Sequence, residues 1–177
     1  MEALLNGGFN GVGVQEITAR AGVPKGSFYN HFESKEALGA EIVVRYGVGN
    51  PRRAVLSDPT LPGLERLRRY FTATTESFVD AEFQRGCLLG NFSAELANQS
   101  PLIRERLVEL YARWTGELAS AIRDAQADKS ISDKRPPAEL AAFILDAFEG
   151  ALLRARVERS RAPFDRFLDL AFTHILT

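Results

Sequence analysis

Residues 14–32 read Val-Gln-Glu-Ile-Thr-Ala-Arg-Ala-Gly-Val-Pro-Lys-Gly-Ser-Phe-Tyr-Asn-His-Phe, and they leave the backbone few choices. A short helix is stopped at Gly22, because glycine takes the left-handed C′ conformation without a Cβ penalty. A tight turn passes through Val23. Pro24 then opens a second short helix at a position where a missing N–H costs nothing. Ile17, Ala21, Val23, Phe28 and Phe32 supply an apolar side that packs the two helices together. The result is a helix-turn-helix, whose second helix fits the major groove of DNA.

The other face of that second helix carries Lys25, Gly26, Ser27, Tyr29, Asn30 and His31, with no carboxylate until Glu33. These side chains bind phosphate or read base edges. Gly26 costs about 1 kcal/mol in a helix relative to alanine, a cost that a close DNA backbone explains. Gln15 lies near the same surface, at the start of the preceding helix. Ser34 caps the next helix, and Lys35 in its first turn opposes the helix dipole, so a phosphate is its natural partner.

The remaining pattern is helical, with no sustained two-residue alternation. Leu64, Leu67, Phe71, Thr74 and Phe78 form one stripe, and Ile103, Leu107, Leu110, Tyr111, Trp114, Leu118 and Ile122 another. The polar run 128–137 breaks the pattern as a surface loop. Leu140, Phe143, Ile144, Ala147, Phe148 and Ala151 mark a further long helix, and a last one follows Pro163. The fold class is all-α. The segment Gly47-Val-Gly-Asn-Pro51 separates residues 1–46, a three-helix unit, from a long-helix body at 47–177. Residues 1–6 read as the tail of a helix whose beginning lies outside the sequence, because so short a helix is not stable alone.

Gly8-Phe9, Val14, Ile17-Thr18, Ala21 through Phe32 and Lys35-Glu-Ala-Leu38 together resemble the DNA-binding domain of the TetR family of transcriptional repressors. The resemblance implies an all-α homodimer, double-stranded operator DNA as partner, and a pocket in the larger domain whose small-molecule inducer releases the operator. A shorter run, Arg85-Gly-Cys-Leu-Leu-Gly-Asn91 with Phe92-Ser-Ala-Glu-Leu96, is similar to a segment of the subgroup that includes the N-ethylmaleimide-reductase repressor. That repressor senses electrophiles through cysteine. Cys87 follows Arg85 and opens a helix, surroundings that favour a reactive thiol, whereas a lone cysteine elsewhere is usually an inert packing residue.

The expected inducer-binding residues are Phe78, Cys87, Asn91, Phe92, Tyr111, Trp114 and Phe148, although each aromatic taken singly reads first as core. The arginines at 66, 68, 69, 104, 106, 154, 156, 159 and 161 read as a solvated face. Phe164, Phe167, Leu168, Ala171, Phe172, Ile175 and Leu176 form a sustained stripe, so a homodimer through the last two helices is expected.

Composition bounds the alternatives. One cysteine among 177 residues excludes an internal disulfide and fits a reducing, cytoplasmic setting. No apolar run approaches the ~18 residues of a membrane span. Net charge is −1, so the case for DNA is local rather than global. Neither His31 nor His174 has a glutamate three residues before it, and no phosphate-cradling glycine motif occurs. No catalytic residue, metal site or cofactor is therefore expected. The competing class is a helical small-molecule-binding protein or enzyme that keeps a vestigial helix-turn-helix.

Overall fold

The computed structural model describes residues 2–48, 50–132 and 134–177, and among these there is no strand. The helices are α1 (Glu2–Gly7), α2 (Val14–Arg20), a 3₁₀ helix (Lys25–Asn30), α3 (Lys35–Val48), a second 3₁₀ segment (Pro51–Ser57), α4 (Gly63–Asp80), α5 (Leu88–Leu96), α6 (Pro101–Ala127), α7 (Pro137–Glu158) and α8 (Ala162–Leu170). A π-helical turn, Ala171–Ile175, continues α8 and closes with the Leu176 N–H on the Ala171 carbonyl at 2.8 Å.

The chain packs as two units. Residues 1–49 and 86–110 form the first, and residues 50–85 and 111–177 the second, so α6 contributes to both. The first unit is built on Leu4, Phe9, Val12, Phe28, Ile42 and Val43, with Leu88, Phe92, Leu96 and Ile103 from α5 and α6. Gly22 has φ +70°, the left-handed conformation that ends α2. Pro24 is extended and precedes the second helix rather than opening it. Its carbonyl accepts both the Ser27 N–H (3.0 Å) and the Ser27 hydroxyl (2.6 Å), an i→i+3 pattern that winds the segment as 3₁₀. The expected packing side is also narrower. Ala21 and Val23 are exposed, while Thr18 is buried, its hydroxyl donating to the Val14 and Gln15 carbonyls. Ser34 caps α3 as expected, accepting the Ala37 N–H at 3.0 Å.

The second unit has an aromatic core. Phe71 of α4 lies 5.0 Å from Phe148 and 5.1 Å from Phe167, centroid to centroid, and Phe148 lies 5.6 Å from Phe164. One of the arginines departs from the solvated face read from the sequence. Arg66 is buried, bound to Asp124 and to the Leu56 carbonyl (3.0 Å). Arg161, the part-exposed N-cap of α8, bridges to Glu76 on α4 through two hydrogen bonds of 2.8 and 2.7 Å. Arg53, not among those arginines, is also buried and pairs with Glu117 at 2.7 Å. Most of the C-terminal stripe is covered within the chain: Phe164, Phe167, Ala171, Phe172 and Leu176 are buried, while Leu168 and Ile175 are half-buried. The apolar side chains left outside are others, Phe143, Leu153, Val157 and Leu170.

Candidate nucleic-acid interface

Phe28 anchors the 3₁₀ helix. It is 5% exposed, with its ring 5.5 Å from Phe32 and edge-on to Tyr29 at 5.2 Å. Around that anchor, Lys25, Gly26, Tyr29, Asn30 and His31 are exposed, Tyr29 at 59%, and Ser27 is half-buried on the Pro24 carbonyl. Gln15 is exposed in the first turn of α2. This unit therefore presents a cation, an amide, an imidazole and a phenol together, the mixture that phosphates and base edges require. A Cβ built on Gly26 meets nothing within 4 Å. No internal contact demands glycine there.

Lys35 is placed differently from its neighbours in that list. Its ammonium donates to the Phe9 carbonyl at 2.5 Å and lies 4.3 Å over the Phe9 ring. Neither this tie nor the role of Glu95 on α5, whose carboxylate accepts the N–H groups of Phe9 (3.2 Å) and Asn10 (2.8 Å), is legible in the sequence. Nothing local signals a partner 85 residues away.

The residues expected around an inducer fall in both units. Cys87, Asn91 and Phe92 belong to the first. Cys87 is the buried N-cap of α5, and the Tyr46 hydroxyl donates to its Sγ at 3.9 Å. Phe92 is fully buried, edge-on to Phe9 at 5.6 Å. Phe78, Tyr111, Trp114 and Phe148 belong to the second. Phe148 sits in the aromatic core, Phe78 stacks on Phe164 at 6.0 Å, and Tyr111 is half-buried. Trp114 is buried edge-on to Tyr70, and its indole N–H has no acceptor, nor does the buried Thr75 hydroxyl have a partner. The described residues hold no cluster of His, Cys, Asp or Glu suited to a metal ion, and none of their helices is long and apolar enough to cross a membrane.

Comparison with known proteins gives concordant matches at both ends of the chain. Residues 1–42 match the family described as "Bacterial regulatory proteins, tetR family", and residues 63–171 match "Tetracyclin repressor-like, C-terminal domain". The HTH-type transcriptional repressor DhaR of Mycobacterium sp. (strain GP1) is 40% identical over 177 residues, covering 99% of this chain and 87% of the relative. The HTH-type transcriptional repressor NemR of Escherichia coli (strain K12) is 28% identical over 166 residues, covering 93% and 83%. Among solved structures, the regulatory protein TetR from Rhodobacter sphaeroides aligns with a TM-score of 0.90 at 33% identity, over 98% of this chain and 93% of that one. Reduced E. coli NemR aligns at 0.87 and 26% identity, over 99% and 92%.

Proposed function

This chain belongs to the tetR family of bacterial regulatory proteins, ligand-responsive repressors that bind operator DNA and act as dimers, and from that premise we propose how its residues divide the work. Residues 1–46 read the operator, and residues 47–177 take the inducer and hold the second copy. The relatives and both family matches are those of a regulator, not of an enzyme. The setting is cytoplasmic.

The observation that carries the DNA assignment is the exposed face around buried Phe28. Lys25, Ser27 and Lys35 supply phosphate contacts, as does the backbone at Gly26. Tyr29, Asn30 and His31 reach base edges, and Gln15 touches the flank from α2. In the second unit, the unpaired N–H of Trp114 and hydroxyl of Thr75 support an uncharged inducer that carries an acceptor oxygen, since buried donors are rarely left alone. Phe78, Tyr111 and Phe148 supply its apolar surroundings, and Cys87, Asn91 and Phe92 complete the inducer-responsive set.

The second copy is assigned to α7 and α8. Phe143, Ala147, Gly150, Arg154 and Val157 recur at spacings of three and four on α7, beside a groove of about 320 Å³ that Leu170 also lines. Exposed apolar surface of this kind on a helix pair supports a four-helix bundle with a symmetry mate.

The experiment is titration of the full chain with the DNA flanking its own gene, at two salt concentrations. A specific complex that weakens steeply with salt is expected. Binding no tighter than to unrelated DNA at both salts would overturn the assignment.

A further inference from the structure

The loop between α1 and α2 is held by its backbone at three points, and two of them belong to one carboxylate. Glu95 Oε1 accepts the Phe9 N–H at 3.2 Å, and Oε2 accepts the Asn10 N–H at 2.8 Å. The third point is the Phe9 carbonyl, bound by Lys35 of α3. The fit is tight: Gly8 has φ +72°, and a Cβ there would stand 2.6 Å from Glu95 Oε1. One turn before Glu95 on the same helix, Phe92 packs edge-on against the Phe9 ring. Side chain and backbone of Phe9 are thus both fastened to α5. The loop runs through Gly11 and Val12 to Gly13, the N-cap of α2, which has no side chain with which to cap it. Where α2 begins is therefore set by the loop, and the loop is set by α5.

We propose that Glu95 is a positioning residue for operator binding, the group through which α5 fixes the start of α2 and so the pose of the helix-turn-helix. It touches no nucleic acid itself. Two parallel N–H donors suit a carboxylate, which offers an acceptor oxygen to each. A glutamine offers one oxygen and turns its NH₂ toward the other N–H, so Glu95→Gln loses one bond and sets two donors face to face. The proposal rests on the operator-binding reading, which wild-type binding in the same assay checks separately.

The test compares Glu95→Gln with wild type on operator DNA and on unrelated DNA of equal length, with dimer mass and helix content measured alongside. Operator affinity is expected to fall about tenfold while affinity for unrelated DNA stays within about twofold, because the exposed cations remain. Unchanged operator affinity would overturn the proposal. So would an equal loss on both DNAs, which is what simple destabilisation produces. Hydrogen exchange on the wild-type dimer decides independently of how the variant folds. The Phe9 and Asn10 amides are expected to exchange as slowly as those within α5, and exchange at open-loop rates would refute the clamp.

Discussion

Lys35 reaches back across the first unit to Phe9, its ammonium 2.5 Å from the carbonyl and 4.3 Å above the ring of the same residue. An ammonium has three N–H donors, so one bond to Phe9 leaves two for a phosphate. Lys35→Met is accordingly expected to act twice. Losing a charged hydrogen bond and a cation–π contact at a part-buried site lowers stability by about 1 kcal/mol. Losing the phosphate contact lowers the salt slope of operator binding by about one charge. Thermal melts and titrations across salt concentrations separate the two. An unchanged slope would leave the lysine with the loop alone.

Gly26→Ala discriminates more sharply. The added methyl meets nothing within 4 Å in the protein, and alanine is the better helix former. Folding stability is expected to hold or to rise by up to about 1 kcal/mol, while operator affinity falls as the methyl enters the space of a close phosphate. Denaturant unfolding beside operator titration checks both signs. Undiminished affinity would remove the close approach from the proposed interface.

What the sequence displays of this molecule follows the range of the interactions. The turn at Gly22 and the cap at Ser34 are written within a few residues of where they act, so the helix-turn-helix could be read directly. Helix periodicity likewise exposed α4, α6 and α7. The opposite holds for Arg66 and Arg161: each looks like one more surface arginine until Asp124 or Glu76 arrives from another helix. The C-terminal stripe shows a subtler limit. Periodicity reveals that Phe164, Phe167 and Phe172 are buried, but not by what, and it is Phe71 of α4 and Phe148 of α7 that pack against them. Glu95 stood in plain view within a motif singled out for its cysteine. Its partners are backbone N–H groups, which no sequence pattern displays.

The proposed dimer face offers a clean variant because its side chains stand outside the core. Phe143 is 54% exposed and Val157 80% in the single chain. Phe143→Lys with Val157→Lys is expected to leave each protomer's fold intact and to give monomers in sedimentation at micromolar concentration. Operator affinity should then fall steeply, since a palindromic site needs two recognition helices about 34–36 Å apart. Dimers surviving the double change would move the interface off this face of α7.

Arg161 is expected to contribute, through Glu76, an increment of stability that is present at neutral pH and lost in acid. Hydrogen bonds from the guanidinium hold the Glu76 carboxyl below the usual carboxylate range. A depressed folded-state pKa stabilises the native state fully above the unfolded value, near 4.3 for glutamate, and that contribution is lost as pH falls through the folded value. Glu76→Gln should therefore destabilise the protein at pH 7 and have a smaller effect at pH 3, below the unfolded value. Both side chains are well exposed, so the difference is small and shrinks with salt. Denaturant melts at the two pH values test it, and an equal loss at both would show that the contact is not electrostatic.

Cys87 is only 3% exposed, stands at the N-cap of α5, and accepts the Tyr46 hydroxyl at 3.9 Å. Its flanking sequence resembles that of electrophile-sensing repressors, and NemR is among the relatives. Burial imposes a condition on any such chemistry: only a reagent small and uncharged enough to enter the first unit reaches the sulfur. Small electrophiles are expected to release the wild-type protein from its operator and to leave Cys87→Ser bound, while bulky or charged thiol reagents act slowly on both. Cys87→Ser itself should fold and bind, because serine keeps a hydroxyl for Tyr46 and loses only about 1 kcal/mol of packing. Operator release measured for both proteins against reagents of graded size decides the matter. Equal release by the small electrophiles would reduce Cys87 to a packing residue and leave a reversible inducer, held by the Trp114 and Thr75 donors, as the signal.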